Sequence, residues 1–256
     1  MLRQLLLITG LWTLISSCQK EISLAPVQEI DTEIKIRFNA VVSDQNLEFE
    51  REYINIYQEP FTVSAIKFYI QAVELENTST GRKIRIFDNY RLVDFSNPGT
   101  ALIGGSAPNG SYNTLNFVIG VDSALNVSGA QAGDLDPAKG MFWTWNSGYI
   151  MAKLEGNSAL ASTPNHSFEY HIGGFAGPDN VVKKISLPLA QGQMIRLDQY
   201  PNPVIELNAD INEWFGGDNN ISIGSNPTCM TPGLLARQIA GNYYRMFSVT
   251  GIVSSP

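Results

Sequence analysis

The chain has 256 residues, 44% of them hydrophobic and only 16% charged, a balance that excludes a mainly disordered chain and predicts a packed core. Seventeen basic against twenty-four acidic residues leave a net charge of −7. With no basic run and no Lys/Arg patch interleaved with aromatics, nucleic acid and anionic membrane are excluded as main partners.

In chain order, the first signal is an address. Arg3 gives a positive start, and Leu5 to Ile15 is an apolar run shorter than the roughly 20 residues that span a bilayer. It ends in Leu14-Ile15-Ser16-Ser17-Cys18, which resembles a bacterial lipobox, with small residues directly before a cysteine. Residues 1–17 therefore read as a lipoprotein signal peptide, with Cys18 as the lipidation site and residues 18–33 as a lipid-anchored tether. Each buried methylene contributes about 0.8 kcal/mol, so several acyl chains hold such a protein on its membrane. The expected location is the bacterial outer membrane, facing the periplasm or the cell surface. Once Cys18 is lipidated, Cys229 is alone, and it reads as a buried small hydrophobe rather than a ligand.

From Ile34 the pattern alternates, with Ile34, Ile36, Phe38 and Ala40 on one side, which predicts a half-buried strand. Further strands are predicted at Tyr53–Tyr57, Phe61–Ile70, Gln71–Glu76, Lys83–Asp88, Tyr90–Phe95, Tyr112–Val121 and Phe142–Lys153. The series continues with Ser167–Ile172, Val182–Leu189, Met194–Leu197, Val204–Ala209 and Phe247–Val253. Gly, Pro, Asn and Asp clusters such as Asn97-Pro98-Gly99 separate them. Only Ile211–Phe215 and Gly233–Asn242 read as short helices. The expectation is an all-β, single β-sandwich-like domain over residues 34–256, with long loops and one or two short helices.

Enzyme signatures are missing from this pattern. There is no Gly-x-Ser-x-Gly, no phosphate loop and no His-Glu-x-x-His, and Glu155 with Glu169 is a weak carboxylate pair. No catalytic residue is assigned. Asp122, Asn126, Asp134 and Asp136 supply hard oxygen ligands within fifteen residues, a calcium candidate whose alternative is strand-ending Asx-turns. The densest feature is Gly140-Met141-Phe142-Trp143-Thr144-Trp145-Asn146-Ser147-Gly148-Tyr149, followed by Tyr170-His171-Ile172-Gly173-Gly174. On an extended segment Trp143 and Trp145 share a face, and His171 lies opposite Phe168, Tyr170 and Ile172 on its own strand. Neutral imidazole suits copper, and an aromatic core with a satisfied histidine at its rim is the competing reading.

That block, with Phe117-Val118-Ile119-Gly120-Val121-Asp122 before it and Lys153-Leu154-Glu155-Gly156 after it, resembles the MbnP-like family, related to the methanotroph copper proteins MopE and CorA. Val63–Ile70 is similar to the family's early strands and Ala240–Phe247 to its ending. The resemblance covers most of residues 34–253 and implies a non-enzymatic copper-binding protein. It also implies that Trp143 or Trp145 is oxidised to kynurenine by a dihaem cytochrome c peroxidase-like partner, and that His171 is a ligand. Characterised copper binders of the family use two histidines. Here His166, a methionine or Cys229 would have to assist His171. The alternatives are a metal-free lipoprotein interaction module, or a sugar-binding domain that uses Trp143 and Trp145 as a platform.

Overall fold

The computed structural model describes residues 31–145, 148–189 and 194–254, so the signal peptide, Cys18 and most of the tether lie outside the described residues. The chain is mostly β, with 48% strand in two curled half-barrel sheets and two short helices. In chain order the strands are β1 (Asp31–Val42), β2 (Gln45–Asn46), β3 (Tyr53–Ile54), β4 (Pro60–Asn77), β5 (Arg82–Phe87), β6 (Arg91–Asp94), β7 (Leu102–Pro108), β8 (Ser111–Tyr112) and β9 (Thr114–Ile119). There follow β10 (Phe142–Trp143), β11 (Gly148–Asn157), β12 (Ser167–Gly173), β13 (Lys183–Pro188), β14 (Ile195–Arg196), β15 (Pro203–Asp210), β16 (Thr228–Cys229) and β17 (Phe247–Ser254). The helices are α1 (Ser123–Val127) and α2 (Leu234–Tyr243).

The smaller sheet runs β17-β15-β1-β2, with β7 also on β1. Its centre is a parallel pair, β1 with β15, in which Lys35 lies beside Val204 and Val41 beside Asp210. The larger sheet is organised by β4, which reads in sequence as two strands and is one. Ala72 has φ of 54°, and the pairing with β9 shifts register between Gln71 and Glu74. Such a bulge bends a strand without ending it. The neighbour on this edge of β4 changes just before the bend. Residues 62–68 pair with β11 and residues 70–76 with β9, while β6 and β5 occupy the opposite edge. β4 thus carries β11 and β9 end to end along one edge, and the residues just after β9 touch Met151 of β11.

The two sheets meet through aromatic edges. Phe38 and Phe247 of the smaller sheet pack against Phe68 and Phe117 of the larger, with ring centroids 5.1–5.9 Å apart and planes near perpendicular. Edge-to-face pairs of this kind add to simple burial. A second cluster, Phe61, Phe168, Tyr170 and Phe215, continues the core towards α2. There Ala236, Ile239, Ala240 and Tyr243 form the buried stripe of the helix.

Several elements differ from the sequence reading. Tyr53–Tyr57 shrinks to two residues, and Tyr112–Val121 divides into β8 and β9. The expected helix at Ile211–Phe215 is a 3-10 turn over Ile211–Trp214, capped by Asp210 on the Asn212 N–H. Strand β7 carries Gly104-Gly105, which imitates a turn. Gly105 is needed there because a Cβ would sit 2.4 Å from the Ile86 carbonyl oxygen.

Candidate metal centre

Phe142–Lys153 does not form one strand. β10 folds back on β11, with Phe142 beside Tyr149 and Trp143 beside Gly148, and the chain turns at Thr144-Trp145. The shared strand face expected for the two tryptophans is therefore absent. They meet across the turn instead, with centroids 5.5 Å apart and planes tilted by 38°. Trp143 is 4% exposed and Trp145 61%, so the surface offers one ring rather than a two-ring sugar platform.

Gly173 positions the buried ring. A Cβ there would lie 2.4 Å from the Trp143 ring, so only glycine lets the indole approach β12 this closely. Strand residues two apart share a face, which puts His171 on the face that Trp143 covers, about 7 Å along the strand. Phe168, Tyr170 and Ile172 point the other way and are fully buried in the core.

His171 itself is 8% exposed. Its Nε2 lies 2.5 Å from Glu155 Oε1, and Lys153 Nζ lies 3.2 Å from the same oxygen. The register explains the cluster. His171 sits beside Lys153 on β11, which sits beside Lys67 on β4. Lys153 and Lys67, side by side in this row, repel one another. Glu155 offsets one end of the row, and Asp94, 2.8 Å from Lys67 Nζ, offsets the other. The hydrogen bond with His171 holds the Glu155 carboxyl down at about 2 against the opposing effect of burial, with Lys153 adding its charge. Burial works against ionised Asp94 too, yet its hydrogen bonds with Lys67 and Ser96 keep it below the ordinary carboxylate range.

Two nitrogens in this region are unspent. Among the described residues His171 Nδ1 has no hydrogen-bond partner, and the buried Trp143 Nε1–H has none either. Orphaned buried N–H groups are rare and mark a position with an unmet demand. An imidazole backed by a carboxylate on one nitrogen and free on the other has the donor chemistry that copper takes. Beside the Trp143 indole, a cavity of about 280 Å³ is lined by Trp143, Tyr149, Phe175, Asp179 and Pro232, and His171 is not part of that lining.

The other candidates lie elsewhere. His166 is at the far end of the β11–β12 hairpin, five residues and about 16 Å along the strand, with Nδ1 on the Ala161 carbonyl oxygen. Cys229 pairs in register with Tyr170 and so faces the core, where burial pushes its thiol up to about 11 and keeps it protonated. Met151 is buried and its sulfur accepts from the Val121 N–H. The calcium candidates all have structural duties. Asp122 caps α1 and accepts from Tyr90, and Asn126 donates to the Val121 and Asp122 carbonyls while accepting from the Tyr149 N–H. Asp134 pairs with Lys139 and Asp136 caps the next turn. No three His, Cys, Asp or Glu side chains converge as a metal site among the described residues. Any shell around His171 draws on other donors.

A family model, MbnP, matches residues 31–231, from the first described strand past β16. The chain belongs to the MbnP family. Among solved structures it is similar to MbnP from Methylosinus trichosporium, with TM-score 0.51 and 15% identity over 89% of this chain and 100% of that one. At that identity the likeness is one of fold. No curated protein matches the sequence. The fingerprint Trp-x-Trp and the His-Ile-Gly-Gly segment both fall inside the matched family region. Sequence reasoning singled out His171 and the tryptophans as candidates but did not pair Glu155 with His171. The signal that could have revealed it is the Lys153-x-Glu155 spacing opposite Glu169-x-His171 on consecutive strands.

Proposed function

We propose that this chain is a lipid-anchored, non-enzymatic copper-binding protein of the outer membrane, facing the periplasm or the cell surface. Its metal is held at His171, beside a Trp143 that a dihaem peroxidase-like partner has oxidised to kynurenine. The observation that carries this reading is the disposition of His171. One ring nitrogen is tied to Glu155, the other is free, and the strand face belongs to a buried indole with an orphaned N–H.

Indole offers only a donor, whereas kynurenine offers an amine and a carbonyl, so the modification would turn a packing group into a second ligand. Cys18 is the proposed anchor, and the MbnP membership supports the copper assignment. The test is to purify the protein from cells with its native partners, then combine peptide mass spectrometry with metal analysis. A mass shift on the Trp143 peptide and stoichiometric copper that His171→Ala abolishes are the expected results. Unmodified tryptophans together with no copper would end the proposal.

A further inference from the structure

We propose that Glu155 is a positioning residue for His171. By accepting the Nε2–H it fixes one tautomer of the neutral ring and leaves Nδ1 as the nitrogen that takes a metal. The inference rests on the functional reading above for the metal, and on geometry alone for the tautomer.

The oxygen–nitrogen separation is 2.5 Å, and both residues stand in the unbroken part of the β11–β12 ladder, from Ala152 beside Ile172 to Asn157 beside Ser167. Neither backbone can turn away. The same carboxylate oxygen is shared with Lys153, itself mostly buried, so the Nε2 side of the ring already holds an ammonium. A metal cation approaching Nε2 would have to displace a hydrogen bond and face that charge. Approach at Nδ1 meets neither obstacle, since Nδ1 has no hydrogen-bond partner among the described residues. Outer partners of this kind orient a metal-binding imidazole and raise its basicity, and losing one typically weakens metal affinity about 10–100-fold.

The experiment has two arms on the folded, full-length protein. Nitrogen-15 NMR of metal-free protein, with the ring neutral, should show His171 Nδ1 unprotonated and Nε2 protonated. Glu155→Gln, similar in size but uncharged, should give a mixture of tautomers. Titration of copper alone should show Glu155→Gln binding about 10–100-fold more weakly than the parent, whereas Lys153→Met should keep the parent tautomer. A protonated Nδ1 in the parent, or an unchanged tautomer and copper affinity in Glu155→Gln, would overturn the proposal. Should Glu155→Gln not fold, Glu155→Asp, one methylene short, is read in the same two ways and should fall between the parent and a mixture. If the parent, purified from cells with its native partners, binds no copper, the functional reading fails, and the tautomer arm still decides the role of Glu155.

Discussion

The junction between the sheets and the outer face of β11 and β12 are both dense in large rings, yet they are built on opposite rules. At the junction Phe38, Phe68, Phe117 and Phe247 meet edge to face and are all buried. On the outer face Trp143 lies over Gly173 with its N–H unmet, and His171 further along the strand is tied to Glu155, which also holds Lys153. The first arrangement can be exchanged for any apolar packing of equal volume at small cost. The second cannot, because each charge there is tolerated only through its partner. Stability is concentrated in one region and chemical specificity in the other.

Three substitutions would break or sharpen that division. Phe38→Ala removes a ring that touches three others and should cost about 3–5 kcal/mol of unfolding free energy in a urea titration. A loss below about 1 kcal/mol would mean that the junction is not the main core. Gly173→Ala drives a methyl into the Trp143 ring and should cost about 1–3 kcal/mol while red-shifting tryptophan emission. Unchanged emission would show that the indole does not rest on that glycine. Trp145→Phe, at an exposed turn, should stay within about 0.5 kcal/mol of the parent. A cost near that of Gly173→Ala would move Trp145 from the rim into the structure.

Much of the fold was legible in residue alternation. Ile34, Ile36 and Phe38 are buried as the period of two predicts, and α2 closely follows its expected span. What escaped has physical causes. Ala72 in a left-handed conformation and the glycines of β7 are local exceptions that only their neighbours require. The turn after Trp143 interrupts an apolar run that reads as continuous strand. At the candidate centre, residue types pointed to His171, but the contact with Glu155 depends on strand register, which no single segment encodes. Asp122, a calcium candidate whose alternative is a local Asx-turn, caps a helix that the sequence did not announce.

The parallel pairing of β1 with β15 has a consequence for how the protein comes into being. Lys35 cannot find Val204, nor β15 its outer neighbour β17, until nearly the whole chain is available. Contacts this distant in sequence pay a loop-closure entropy before they return anything, which places folding in the millisecond-to-second range typical of non-local β topologies. During synthesis or export, the long β4 and the β11–β12 hairpin can assemble first. β1 meanwhile has β2 and β7 along one edge, and the edge that β15 will occupy stays unpaired until that strand emerges.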